Sequence, residues 1–245
     1  MNEHNHIVKA FSEELSSLGQ KIATMGGLAE RQLAEAIDAI ENRDLVLAER
    51  AVAADAQIDA LDHEIESQAI LMIARRQPVA SDLREIIVAV KIASDLERVG
   101  DLAKNIARRA ERIIENRPQR ASIGFNRMAR AAMQQIKDVL DAYSTRNTEQ
   151  ALAVWRADEE IDAIYNSLFR ELLTYMMEDP RNIGSCTHLL FGAKNLERVG
   201  DHATNIAEYV YYLVEGEPLT DTRHRRDDTE RGRPAKQPGK DAPAV

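Results

Sequence analysis

The residues whose types and spacing suggest chemistry are acids at helical intervals. The hexapeptide LERVGD occupies positions 96–101 and recurs unchanged at 196–201. Each copy holds a Glu-x-x-x-Asp pair, Glu97 with Asp101 and Glu197 with Asp201, and each is followed by an asparagine, Asn105 or Asn205. Residues four apart share a helix face, so each set forms one polar ridge. On a helical wheel with Leu96 at 0°, Val99, Ala103 and Ile106 fall at roughly 300°, 340° and 280°, and Glu97 and Asp101 at roughly 100° and 140°. The apolar stripe and the acid ridge are therefore separate. A second ridge lies upstream, where Asp55, Asp59, Asp62 and Glu66 run beside the stripe Ile58, Leu61 and Ile65. Its downstream echo keeps Asp158 and Asp162 but has Tyr165 and Phe169 at the other two positions.

Like charges at i, i+4 cost a helix roughly 0.2–0.5 kcal/mol per pair, so repeated acid ridges call for a reason. A solvated face is the commoner fate of such acids, and spacing alone favours it. The alternative is a cation. An oxygen-only donor set suits the hard ions Mg²⁺, Ca²⁺ and Mn²⁺ or oxidised iron. Reuse of the same pair in two places strengthens that reading. Gly100 and Gly200 lie between stripe and ridge, where close helix packing explains a residue that costs about 1 kcal/mol relative to Ala. Arg98 and Arg198 point away from the stripe and read as surface or interface charges.

Other chemistries are missing. There is no Glu-x-x-His, the di-iron bundle signature. The histidines at 4, 6, 63, 188, 202 and 224 form no pair at helical spacing, so zinc is not expected. His202, beside Asp201, reads as a surface histidine. No Gly-rich phosphate loop, nucleophile elbow or Cys/His arrangement is present, so no catalytic residue is assigned and the chain does not read as an enzyme. The arginines 108, 109, 112, 117, 120, 127 and 130 are interleaved with Glu111 and Glu115 and read as a solvated face.

The elements that must position these acids are helices. Aromatics are only 4% of the 245 residues, prolines number 7, and 44% of residues are hydrophobic. Apolar residues at spacings of three and four mark a helix over 7–40, with Gly26-Gly27 as a bend or close-approach point. A break at 41–45 has Asp44 as N-cap, and a second helix runs to Arg76. Pro78 ends it, and a third helix runs from about Val79 to Glu115. The pattern then recurs: a helix over 122–144, a break at 143–150, and the segment ADEEIDAI (157–164) echoing ADAQIDAL (54–61). A Pro-containing turn at 178–185 precedes a last helix ending near Gly216. The repeat offset is 103 at the ADxxIDA segment and 100 at LERVGD, a difference assigned to the turn before the third helix of each unit.

The expected fold is therefore all-α, two tandem, pseudo-symmetric three-helix bundles built from six long helices. The expected domains are 1–117 and 118–218, followed by a disordered charged tail at 219–245. The net charge is −9, the tail from 220 carries +2, and the helical body carries −11. Such an acidic chain is a poor nucleic-acid binder. A single cysteine, Cys186, fits a reducing compartment. No secretory leader or apolar run of membrane-spanning length is read in the sequence, so a cytoplasmic protein is expected.

LERVGDLAKNIA (96–107) and LERVGDHATNIAEYV (196–210), each preceded by an ADxxIDA helix, resemble the PhoU family of phosphate-signalling proteins. ILMIARRQPVASDLREI (70–86) resembles that family's first turn between helices two and three. The resemblance covers roughly 7–217. It implies two three-helix bundles with metal bound through Glu97, Asp101, Glu197 and Asp201, with Asp55, Asp59, Asp158 and Asp162 facing them. It implies a cytoplasmic, often dimeric, negative regulator that touches the membrane only through its partners. Those partners would be the ATPase subunit of a phosphate ABC transporter and a phosphate-sensing histidine kinase. A metal-dependent phosphoryl hydrolase and a purely structural helical oligomer are the alternatives. The second unit departs from the first, with RNIGSCTHLLF where the first has ASDLREIIVAV, so Arg84 has no counterpart.

Overall fold

The computed structural model describes residues 2–115 and 119–220. Among these the chain forms helices joined by short turns, with no strand. The elements are α1 (Asn2–Asn42), α2 (Leu45–Arg76), α3 (Ala80–Ala107), the short α4 (Ala110–Glu115), α5 (Gln119–Thr145), α6 (Thr148–Glu178) and α7 (Ile183–Glu215), with a 3₁₀ turn at Pro180–Asn182 before α7. The expected boundary at 117/118 and the charged tail beyond Thr220 lie outside the described residues, as do Arg117 and the side chain of Arg120. Helices α1, α2 and α3 pack on one another, as do α5, α6 and α7. Helix α3 packs on α7, and α1 on α5. The buried side chains of both units join in one contiguous core.

The repeat shows in the turns. Between α1 and α2, Arg43 takes a left-handed φ of 59° and the Asp44 carboxylate accepts the Leu47 N–H at 3.0 Å. Between α5 and α6, Arg146 has φ 51° and the Asn147 side chain accepts the Gln150 N–H at 3.0 Å. Each side chain satisfies one of the N–H groups a helix start leaves open, worth about 1 kcal/mol. The next turns differ. Gln77 closes α2 with φ 48°, and Val79 leads into α3. In the second unit Asp179 leads straight into Pro180 and the 3₁₀ turn, accepting the Arg181 N–H. At the offsets of 103 and 100, residues 77–79 have no counterpart, which places the difference where the sequence put it.

Two expectations need correction. The third helix does not run unbroken to Glu115. It ends at Ala107, where the Arg109 N–H donates to the Ile106 carbonyl in a tightened last turn. The guanidinium of Arg109 then lies over the Phe191 ring of α7, 4.8 Å from its centroid. The redirected chain buries Ala110 and Ile113 completely, the latter beside Gly192. Gly26-Gly27, in turn, does not interrupt α1. A Cβ on Gly26 would lie 2.6 Å from Leu140 Cδ2 of α5, so this glycine permits close approach between the units.

Helices α3 and α7 run antiparallel. Arg84 near the start of α3 donates to the Tyr212 carbonyl near the end of α7, and Lys91 lies over the Tyr209 ring. Asp95 meets His202, and Arg109 reaches His188. This crossing puts the two LERVGD segments on one central pair of helices. Their apolar faces turn inward, with Leu96, Val99, Leu196 and Val199 all at most 0% exposed.

A pair of substitutions tests this packing. A Cβ on Gly27 meets nothing within 4 Å, so Gly27→Ala should stabilise the protein by about 1 kcal/mol through helix propensity. A Cβ on Gly100 would lie 3.0 Å from both Gln32 Oε1 and Ile58 Cδ1, two fully enclosed side chains. Gly100→Ala should therefore destabilise by roughly 1–2 kcal/mol despite the same propensity gain. Urea denaturation midpoints at pH 7 provide the comparison.

Candidate functional site

Packing of the α2 stripe on α3 brings the first pair of acid ridges face to face. At the inner end Asp55 is buried, more deeply than a ridge beside the stripe suggested. It accepts hydrogen bonds from Gln32 Nε2 at 3.4 Å and from the ammonium of Lys104. Lys104 also donates to Asp101 Oδ1 at 2.5 Å. Burial opposes the Lys104 charge, but the hydrogen bonds to Asp101 and Asp55 outweigh it, and its pKa stands above the ordinary lysine range. Further out, Glu97 is raised above the usual carboxylate range by burial, with Asp101, Asp62 and Asp59 adding repulsion against the attraction of Arg98. Burial likewise raises Asp62, with Glu66 and Asp59 contributing. Arg98 is exposed, as expected of a surface charge, and pairs along the ridge. Its Nε lies 3.3 Å from Glu97 Oε2 and its Nη1 3.5 Å from Asp101 Oδ2.

The second centre is built alike but charged differently. Position 204 corresponds to Lys104 and is a threonine. Its hydroxyl lies 3.3 Å from Asp158 Oδ1 and 3.0 Å from the Gly200 carbonyl. Asp162 reaches solvent, yet its pKa is pushed up to about 6, first by desolvation and then by Asp158, Glu197 and Asp201, against the pull of Lys194. Lys194 pairs with Glu197 and lies over the Tyr165 ring, 5.3 Å from its centroid. Tyr165 and Phe169, with ring centroids 6.4 Å apart, stand where the first unit has Asp62 and Glu66.

Each LERVGD glycine is the floor of its centre. A Cβ on Gly200 would lie 3.0 Å from Ile161 Cδ1 and 3.1 Å from Gln135 Oε1, repeating the Gln32 and Ile58 contacts of Gly100. Gln32 and Gln135 are 1% and 5% exposed, and neither side-chain oxygen has a hydrogen-bond donor. Buried acceptors without donors are costly, roughly 1–3 kcal/mol each.

The structure thus gathers Glu97 and Asp101 with Asp55 and Asp59, and Glu197 and Asp201 with Asp158 and Asp162, through contact or mutual repulsion. As the side chains stand, no three carboxylate, imidazole or thiolate groups among the described residues converge into a ligand set. The donor chemistry is that of hard cations. In the first unit Lys104 already supplies a positive charge to Asp55 and Asp101.

His202 is not a surface histidine. It is half-buried, its Nδ1 lies 2.6 Å from Asp95 Oδ1, and Asn205 donates to the same oxygen at 3.3 Å. Sequence reasoning missed Lys104, Gln32, Gln135 and Asp95. Lys104 was within reach, because the wheel places it at about 80°, next to Glu97. The two glutamines sit 103 residues apart, at the repeat offset, and comparing the first helices of the two units would have paired them.

A family model described as the PhoU domain matches the chain twice, over residues 22–110 and 125–210. The chain belongs to the PhoU family. It is 52% identical over 227 residues to a Rhizobium meliloti phosphate-specific transport system accessory protein PhoU homolog, covering 92% of this chain and 96% of that protein. It is 38% identical over 224 residues to the Escherichia coli phosphate-specific transport system accessory protein PhoU, covering 91% and 92%. Crystal structures of PhoU from Pseudomonas aeruginosa and of the phosphate transport system regulatory protein PhoU from Streptococcus pneumoniae superpose with TM-scores of 0.82 and 0.79. Their identities are 39% and 30%; they cover 84% and 85% of this chain, which in turn covers 100% and 99% of theirs. The two family matches fall on the two halves that carry LERVGD.

The second centre yields a pH prediction. Asp162 has a folded pKa of about 6 against an ordinary value of 3.8. The folded state then holds more protons than the unfolded state between these values, so stability falls as pH rises through that window. Asp162→Asn should raise stability at pH 7.5 by roughly 1 kcal/mol after allowance for solvent screening. The gain should vanish below about pH 4, where both states are protonated. Denaturant midpoints of wild type and variant across pH 4–8 measure this.

Proposed function

We propose that this protein is a cytoplasmic regulator of phosphate-specific transport, acting as a non-catalytic adaptor. On this reading it works as a homodimer. It contacts the ATPase subunit of the phosphate ABC transporter and a phosphate-sensing histidine kinase, restrains uptake and keeps the starvation response off when phosphate is plentiful. The observation that carries the reading is the doubled PhoU match, lying over two carboxylate centres on one packed scaffold. Its relatives are named as accessory and regulatory proteins of phosphate transport. A membrane role through partners accords with the helices themselves, since none among the described residues is long and apolar enough to cross a bilayer.

The same reading gives the acids a purpose. Asp158, Asp162, Glu197 and Asp201 would hold a hard cation such as Mg²⁺, Mn²⁺, Ca²⁺ or ferric iron, drawn together from their present spread. The ion would supply positive charge against the repulsion that raises Asp162. The chain's own contribution is to hold these oxygens on rigid, buried helices so that the surface around them has one shape. Asp55, Asp59, Glu97 and Asp101 form the corresponding set of the first unit.

Deletion of the gene in phosphate-replete cells should derepress a starvation-gene reporter and raise phosphate uptake. A pull-down with the full chain should recover the transporter ATPase or the kinase. Substituting residues 97, 101, 197 and 201 together should weaken that recovery. Normal repression and normal uptake in the deletion strain would sink the proposal.

A further inference from the structure

Along the seam between antiparallel α3 and α7, cations are held by aromatic rings rather than by acids. At one end the Arg84 guanidinium lies 5.6 Å from the Tyr212 ring centroid and donates to the Tyr212 carbonyl. Further along, the Lys91 ammonium lies 5.1 Å from the Tyr209 ring centroid. At the other end Arg109 lies 4.8 Å from the Phe191 ring centroid, with its Nη1 3.5 Å from His188 Nδ1. Positions 91 and 191 correspond at the repeat offset of 100, and so do 109 and 209. Lysine over tyrosine at one end is thus matched by arginine over phenylalanine at the other. Cation and ring have exchanged helices, and the pairing is kept. A ring fixes a cation in place without cancelling its charge. Among the described residues, Arg84, Lys91 and Arg109 form no ion pair with a carboxylate. The acids nearby are engaged elsewhere: Asp95 with His202 and Asn205, Glu85 with Arg146, Glu97 with Arg98, and Glu208 with the Trp155 indole. Arg108 and Arg198 are exposed and extend the row. With Leu196 at 0°, Arg198 falls at roughly 200°, beside Phe191 and Tyr209 at roughly 220°.

The geometry points to the α3–α7 seam as a docking surface for an acidic segment of a protein partner. This deepens the adaptor reading above and rests on it for the existence of a partner. The helical body carries a net charge of −11, and the seam is a line of fixed positive charge within it. Cations already held in place lose less freedom on meeting an anion than mobile ones do. The Nε of Arg109 is buried and has no acceptor, so an N–H is left for one that this chain does not supply. Phe191, 51% exposed, offers apolar surface beside that charge. Arg84 and Lys91 stand two helical turns apart, roughly 10 Å, a spacing that acids seven residues apart on a partner helix reproduce. The acid ridges lie about 100° further round α3 and α7. A flat anionic membrane or a nucleic acid would meet those ridges together with the seam. A narrow acidic segment can follow the cations alone.

Dye-labelled poly-L-glutamate is the probe, its fluorescence anisotropy followed as the full chain is added at low salt, with helicity checked by circular dichroism. An acidic protein without such a surface repels this probe. Wild type should bind it saturably, and added salt should weaken the binding. Lys91→Gln with Arg109→Gln should weaken it by roughly tenfold or more. Arg31→Gln with Arg170→Gln removes the same charge from exposed positions off the seam and should leave it within about twofold of wild type. Lys91→Arg should retain it. Should the seam double variant prove poorly folded, Lys91→Gln alone, at an exposed position, decides the matter by weakening the binding. No binding by wild type, or equal losses in the two double variants, would overturn this inference. So would binding to phosphatidylserine vesicles without binding to the peptide. Those outcomes leave the adaptor reading standing, since that reading fails only if the deletion strain keeps normal repression and uptake.

Discussion

Helix packing brings like charges together here, and the rest of the structure answers that fact. The apolar stripes of α2 and α3, and of α6 and α7, are satisfied only by close contact, and burying one large aliphatic side chain is worth about 1.5–3 kcal/mol. Dozens of such residues fill the common core. The acid ridges flank these stripes, so they are carried into one another's range. Repulsion at the level of tenths of a kcal/mol per pair cannot oppose that drive. It can only be relieved locally.

The first unit relieves it with its own side chains. Lys104 spans the inner acids and Arg98 bridges Glu97 and Asp101 at the outside. The second unit has Lys194 at its outer edge and a threonine at its inner one. Asp162 keeps a raised pKa, caused first by burial and then by Asp158, Glu197 and Asp201, and burial raises Glu97 and Asp62 in the first unit as well. Duplication thus produced two centres with one geometry and two electrostatic solutions. Both halves meet along the antiparallel α3–α7 pair, where Asp95 and His202 tie them together.

The helices were legible because their stripes are long and regular, and the LERVGD and ADxxIDA repeats fixed the duplication. Asp44 and the Pro78 turn were equally plain, since capping and proline chemistry are local. The break at Arg108-Arg109 was not, because the contacts found there, Arg109 over Phe191 and Ile113 beside Gly192, are with a helix far away in sequence. The acid ridges and their mutual facing followed from periodicity. Their internal neutralisation did not, since a search for ligands passes over a lysine. His202 was misjudged for a related reason: its neighbour in sequence is Asp201, but its partner in space is Asp95 on another helix, 107 residues away.

The most direct measurement is anomalous diffraction from crystals of the full chain grown with Mn²⁺. The account predicts a manganese peak among the paired acids of the repeat, with Asp158, Asp162, Glu197 and Asp201, or their first-unit counterparts, drawn together around it. No manganese at either carboxylate centre would contradict it.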